Sequence, residues 1–213
     1  MSALMDSFPA GISVRLYNYP QSGNCYKVRL LLAQLGIPYE RLTVDILNDR
    51  DRDHPLTRLN INGGRVPILR LGEDTFLFES NAIIFAVSRG TPLAAANSLA
   101  QAKELQWLFF EQNSHEPNIA RLRLWTINGL LPTIPTDVIK HRRELGDFAL
   151  SVMDRHLAEN EFFLGDQYGI ADISLYAYTH VADEADFDLG AYPSIQRWLG
   201  SVKSRQGHVT INE

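Results

Sequence analysis

The chain is poor in cysteine: Cys25 is the only one among 213 residues. One thiol excludes an internal disulfide framework and a cysteine-based zinc site. It points instead to a reducing cytoplasm. Long apolar runs are also missing, and none approaches the ~18 residues that a membrane-spanning helix needs. Residues 1–12 have no basic stretch and no continuous apolar core, so they do not read as a secretory signal. A frayed lead-in to the first strand is expected there. Positive charge is in deficit, with 20 Lys and Arg against 25 Asp and Glu, a net charge of −5. This argues against a nucleic-acid partner, which would call for a basic face. The densest basic run, Lys140-His141-Arg142-Arg143, is short and is followed by Glu144. It reads as a solvated helix face. The six His include no HExxH-like pair, and no metal is expected.

What is present is ordinary for a globular protein, 45% hydrophobic and 21% charged. The length suits two domains. The chain changes character near residue 90. Before it, strand-like stretches at 13–17, 39–44, 66–71 and 75–78 alternate with helical ones. The helix at 24–35 should stop at Gly36, with Pro38 just beyond. A weak charged helix or turn is expected at 50–59, a turn at Gly72-Glu73-Asp74, and a helix at 80–88. The order is βαβαββα, a parallel start with a crossover helix and an antiparallel finish. It implies a sheet with helices on its faces. Residues 90–96 read as a linker. Beyond it the periodicity is only helical, at 99–128, 136–157, 170–183 and 193–202. Pro117 should kink or divide the first of these. The expected domains are an α+β unit over 12–89 and an all-α helical bundle over 96–213.

Three short motifs carry chemistry. After the first strand, Ser22-Gly23-Asn24-Cys25 puts a hydroxyl and an amide at a helix N-terminus. The first N–H groups there have no partner inside the helix, so an anion is stabilised. A phosphate or a ligand's thiolate would suit it. Next, Arg65-Val66-Pro67 follows a glycine-containing loop and opens a strand. Proline belongs at a strand's beginning because it cannot donate a ladder hydrogen bond. Its peptide is either an ordinary trans bond or a cis one. Third, Phe78-Glu79-Ser80 opens a helix. Ser80 reads either as the N-cap or, with Glu79, as a clamp for an α-amino acid group. In that clamp Glu79 meets the ammonium and Ser80 the carboxylate.

Taken together and in this order, the three motifs resemble the glutathione S-transferase family, over nearly the whole chain. The resemblance implies a thioredoxin-like N-terminal domain followed by an all-α C-terminal domain. Gly169-Ile170-Ala171-Asp172 looks like the family's helix-capping box. Gly169 stands where Ser or Thr is usual, so Asp172 would hold the backbone without a reciprocal hydroxyl bond. Asn60-Ile61-Asn62-Gly63-Gly64 departs from the more frequent Asn-Pro-x-Gly.

The resemblance implies a glutathione-dependent transferase in which Ser22 faces the sulfur and Asn24 lies close by. Val66 would pair its backbone with the cysteinyl amide, with Pro67 cis. Glu79 and Ser80 would hold the γ-glutamyl end, and Arg65 a carboxylate. Tyr17 and Tyr19 are rivals for the thiol, since other members use a tyrosine there. Cys25 reads either as a buried small side chain or as a redox nucleophile. The second substrate is expected between the domains, near Phe110, His115, Arg121 and Trp125. Glutathione is thus the expected co-substrate, a homodimer the expected assembly and detoxification the expected role. Disulfide reduction by glutathione itself, or peroxidase action, is a variant of the same chemistry. A maleylacetoacetate-type isomerase and a non-catalytic binding or regulatory protein are the alternatives.

Overall fold

The computed structural model describes residues 3–6, 11–45 and 64–213. The helix or turn expected at 50–59 and the loop at 60–63 lie outside them. The chain forms two compact units. One is Met1–Ala94 together with Gln206–Glu213, and the other is Ala95–Arg205. The last eight residues therefore leave the helical unit, to which the sequence reading gave them, and join the first.

The first unit opens with a single helical turn, α1 (Ala3–Asp6). There follow β1 (Val14–Asn18), α2 (Gly23–Gln34), β2 (Glu40–Thr43), β3 (Ile68–Leu71), β4 (Thr75–Phe78) and α3 (Ser80–Ser88). The strands form one sheet in the order β2-β1-β3-β4. β1 runs parallel to β2, with Arg15 opposite Glu40. It runs antiparallel to β3, with Val14 opposite Leu71, and β3 pairs antiparallel with β4. The parallel start and antiparallel finish read from the sequence are thus the observed topology. α2 is buried almost all round, from Cys25 to Leu32, and packs against α3. It ends where expected. At Gly36 the backbone turns left-handed (φ 63°), and the Ile37 N–H returns to the Leu32 carbonyl at 2.9 Å.

The second unit is helical. α4 (Ser98–Phe110) is capped by Asn97, whose Oδ1 accepts from the Ala100 N–H at 3.0 Å. Residues Glu111–His115 widen into a π turn, and α5 (Glu116–Ile127) continues from it. Pro117 explains the division: lacking an N–H, it cannot bond the carbonyl four residues back. The Glu116 N–H reaches back to the Glu111 carbonyl instead. α6 (Thr136–Glu159), α7 (Ile170–Thr179) and α8 (Pro193–Lys203) complete the unit. Asp154 of α6 caps α8, its Oδ1 accepting from the Ser194 and Ile195 N–H groups at 2.8 and 3.0 Å.

The basic run on α6 needs a correction. Lys140 and His141 are exposed, but Arg142 and Arg143 are only partly so. Arg142 donates to the Pro117 carbonyl at 2.7 Å. Arg143 donates to the Ala185 and Asp186 carbonyls, both at 2.9 Å. Their long stems cross helix surface before the guanidinium meets its acceptors, so half of this face is packing.

α7 is wholly buried and turns on Asp172. Its Oδ2 accepts from the Gly169 N–H at 3.0 Å, which is the contact expected to survive without a hydroxyl at 169. Its Oδ1 accepts from the Phe163 N–H at 3.1 Å and the Trp198 indole at 2.9 Å. Burial pushes this carboxyl up to about 7. Between its ordinary value and 7, the folded chain keeps a proton that the unfolded chain has released. The group's contribution to stability therefore falls as pH rises through that window. Asp172→Ala would strand three buried donors, and a loss of about 3–5 kcal/mol is expected. Denaturant unfolding at pH 5 and pH 7 should show the wild-type advantage narrowing at the higher pH.

Candidate functional site

The site starts where β1 ends. Ser22 is extended (φ −75°, ψ 120°) and caps α2. Its Oγ accepts from the Cys25 N–H at 3.3 Å. That bond uses a lone pair and leaves the hydroxyl proton to donate elsewhere. The Ser22 carbonyl takes the Tyr26 N–H at 2.9 Å. The N–H groups of Gly23 and Asn24 precede the first possible intrahelical bond, so the positive end of the helix lies beside a half-buried hydroxyl.

The rivals for the thiol sit differently. Cys25 has no exposed surface, and its Sγ accepts from the Tyr19 N–H at 3.4 Å. Burial raises its pKa to about 11, so it is a protonated packing group and not an exposed, acidified nucleophile. Tyr17 is in the core, packed with Val44 and Ile68. The Tyr19 hydroxyl donates to Gln21 Oε1 at 3.1 Å.

The second and third motifs also take definite places. The Val66–Pro67 peptide is cis. Pro67 is buried, while Val66 packs against the Tyr17 cluster and Arg65 is exposed. At α3 the capping reading of Ser80 is overturned: Glu79 is the N-cap residue, and no side chain caps the helix. Ser80 is 5% exposed and its hydroxyl is turned inward. It donates to Asn24 Oδ1 at 3.1 Å and accepts from Lys27 Nζ at 3.3 Å. Lys27 Nζ also donates to Asn81 Oδ1 at 3.3 Å. One chain of polar groups thus links the first turn of α2 to the first turn of α3. Asn24, expected beside the sulfur, belongs to this link.

Glu79 is exposed, and its backbone lies at φ 64°, ψ 111°. This is outside the left-handed helical region that non-glycine residues occasionally occupy. A strained, exposed acid at a helix start is a feature that function retains more readily than folding does.

Lys27 escaped the sequence reading. The signal was there: two cations, Lys27 and Arg29, stand in a helix otherwise apolar at nearly every position, and such residues are rarely fully buried unless partnered. Both are at most 1% exposed.

The four second-substrate candidates all lie in the helical unit. Phe110 is half-buried and edge-on to Trp107, with ring centroids 5.4 Å apart. Arg121 is exposed, and Trp125 lies under the Arg142 guanidinium. His115 has no exposed surface, and its Nε2 is 2.8 Å from Thr179 Oγ1, the setting of a core histidine. A cleft of about 450 Å³ between the π turn and α6 is lined by Asn113, Pro117, Asn118, Asp137, His141 and Arg142. None of the four candidates lines it. Among the described residues no three His, Cys, Asp or Glu converge as metal ligands, and no helix is long and apolar enough to cross a membrane.

Two stability measurements test these local readings. Ser22→Ala removes the cap and should cost about 1 kcal/mol, while Ser22→Gly should cost only a few tenths. Glu79→Gly should exceed Glu79→Ala in unfolding free energy by about 1 kcal/mol, because glycine tolerates the positive φ. Equal stabilities in either pair would contradict the corresponding geometry.

Comparison with known proteins covers both halves of the chain. Residues 12–89 match the family model described as glutathione S-transferase, N-terminal domain, and residues 140–201 match glutathione S-transferase, C-terminal domain. The crystal structure of glutathione S-transferase from Pseudomonas fluorescens Pf-5 is 40% identical in sequence. It superposes with a TM-score of 0.87 and covers 94% of this chain and 99% of that one. Glutathione S-transferase 3 of Zea mays is 29% identical over 203 residues, 90% of each chain. Maleylacetoacetate isomerase of Pseudomonas aeruginosa is 27% identical over 191 residues, 86% of this chain and 88% of its own. With both family models met in their sequence order and a 40% identical relative spanning nearly its full length, the chain belongs to the glutathione S-transferase family.

Proposed function

We infer that this enzyme ionises the thiol of glutathione at the N-terminus of α2 and directs the thiolate at an electrophilic carbon or at the sulfur of a small disulfide. The observation that carries the reading is the Ser22 hydroxyl. It accepts from the Cys25 N–H and so keeps its proton for an anion placed against the first turn. Magnitudes support it. A free thiol has a pKa of ~8.5, and lowering it by two units takes ~2.7 kcal/mol of thiolate stabilisation. A hydrogen bond to a charged group supplies ~1.5–3 kcal/mol. A helix N-terminus adds ~0.3–1, or up to ~2 in buried geometry. No protein base is required, and Ser22 acts as a donor with no role as nucleophile.

In this reading the γ-glutamyl ammonium meets the exposed Glu79 carboxylate. Its carboxylate lies over the N–H of Ser80 at the start of α3, with the buried Lys27 charge beneath. The Val66 backbone pairs with the cysteinyl amide, Pro67 shapes that edge, and Arg65 reaches a carboxylate. Asn24 tethers the two helix starts through Ser80. Phe110, Arg121 and Trp125 are the side chains offered to the electrophile. His115 is kept in that set only as support for the helix that presents them.

A second reading has a specific observation behind it. The 27% identity to a maleylacetoacetate isomerase accompanies a Ser-x-Asn-Cys motif that echoes the Ser-Ser-Cys of that branch. The same thiolate would then add reversibly to a cis diacid. Assaying a maleyl diacid beside an aryl halide and a small disulfide separates the readings.

We also place the enzyme in the cytoplasm as a homodimer. Leu99 and Phe109 on α4 and Phe148 on α6 are each at least 60% exposed, and a second copy of the chain is the occupant proposed for them. Sedimentation should give a dimer, and Phe148→Glu should shift it toward monomer.

The decisive assay follows the ultraviolet absorbance of bound thiolate against pH. Wild type should hold glutathione on an affinity matrix with a bound-thiol pKa well below that of the free tripeptide. Ser22→Ala and Ser22→Gly should each raise it by about 1–2 units. Identical titrations for wild type and both variants would contradict the assignment of Ser22.

A further inference from the structure

Arg29 lies two turns into α2, 1% exposed, and the chemistry above leaves it unused. Its Nη1 donates to Asn18 Oδ1 at 2.5 Å, at the end of β1. Its Nη2 donates to the Pro20 carbonyl at 3.2 Å, in the turn before Ser22, and to the Ile211 carbonyl at 2.6 Å, in the C-terminal tail. One guanidinium therefore joins the strand end, the turn and the tail. All three acceptors are neutral oxygens, so the buried charge is held by hydrogen-bond geometry alone at these contacts. A rigid planar fork meets several fixed acceptors in a pre-organised geometry that a flexible-stemmed ammonium lacks.

The tail grips the same helix at two further points. The Tyr26 hydroxyl donates to the Val209 carbonyl at 2.7 Å and lies 3.4 Å from His208 Nε2. Gly207 crosses the last turn of α2 with φ 73°. A Cβ there would stand 2.8 Å from Gln34 Cα and 2.9 Å from the Ala33 carbonyl oxygen. Only glycine permits that approach. Beyond it Ile211 is 6% exposed, and Arg41 donates to the Glu213 carbonyl.

We propose that Arg29 and the tail Gln206–Glu213 form a strap that fixes the turn bearing Ser22, so that the tail sets the ionisation of the bound thiol without touching it. Arg29 is a positioning residue in this arrangement. The consequence for the thiol rests on the reading of Ser22 given above; the fixing of the turn does not. A hydrogen bond to a thiolate weakens steeply once its angle opens, so a small displacement of Ser22 shifts the thiol's pKa.

Two variants test the strap. Arg29→Lys keeps the charge and loses the fork. Gly207→Ala lifts the tail from α2 while leaving every side chain of α2 and the turn unchanged, and it serves alone should Arg29→Lys not fold. Amide hydrogen exchange on the ligand-free protein should speed up about tenfold at Ser22, Cys25 and Tyr26, whose N–H groups are hydrogen-bonded in the turn, in each variant, with α6 unaffected. The bound-thiol pKa should rise by about half a unit or more, roughly a threefold fall in the ratio of thiolate to thiol. Binding of an S-alkyl glutathione, which has no thiol to ionise, should hardly change. Unaltered exchange at Ser22, Cys25 and Tyr26 overturns the strap, whatever glutathione does. Faster exchange with an unmoved thiol pKa overturns its control of ionisation. A wild type that leaves the thiol at its free value would sink the Ser22 reading instead, and the exchange result would still decide the strap.

Discussion

Everything in the N-terminal unit converges on the first turn of α2. A helix start is a row of N–H groups with no carbonyl to meet, and here β1 delivers it to the end of a four-stranded sheet. Ser22 quiets one donor by capping the Cys25 N–H and remains able to donate itself. Nothing about this requires an unusual side chain. In the proposed reading the chemistry comes from placing a common hydroxyl at the positive end of a helix dipole and holding it there.

The holding is done by buried charge. Lys27 and Arg29 point different ways from the same stretch of α2, one to the start of α3, the other to the β1 turn and the C-terminal tail. Burying a cation is costly unless its donors are met, and both terminal nitrogens of the Arg29 fork reach oxygens. A position that must satisfy several fixed oxygens at once tolerates little movement. The two cations thus convert desolvation cost into a defined position for the elements around them. Glu79 adds a local strain of order 1–3 kcal/mol at the other helix start, which the packing of α3 against α2 sustains.

Much of this was legible in the residues. Alternation before residue 90 and helical spacing after it gave the two units, because period and turn chemistry are local properties. Pro117 announced the break in the long helix, since a missing N–H acts wherever the residue falls, although the π turn that absorbs it could not be foreseen. The burial of Cys25 was legible from its place in an apolar helix. Of the two readings of Ser80, the capping one fails because the capping preference is local, whereas its hydroxyl is claimed by Asn24 and Lys27 from another helix. The return of the tail to the first unit was invisible for the same reason. It depends on Gly207 meeting Ala33 and Gln34, and on Tyr26 and Arg29 meeting the Val209 and Ile211 carbonyls far along the chain, and no periodicity encodes that. His115 was placed near the second substrate by the resemblance alone; it is buried, with its Nε2 beside Thr179 Oγ1 on another helix.

The central claim is that an ionised sulfur belongs at the turn between β1 and α2. A crystal structure of the protein with glutathione bound tests it most directly. The account predicts the sulfur within hydrogen-bond distance of Ser22 Oγ, over the first N–H groups of α2. A tripeptide bound with its sulfur elsewhere, or this corner occupied by one of the protein's own carboxylates, would contradict it.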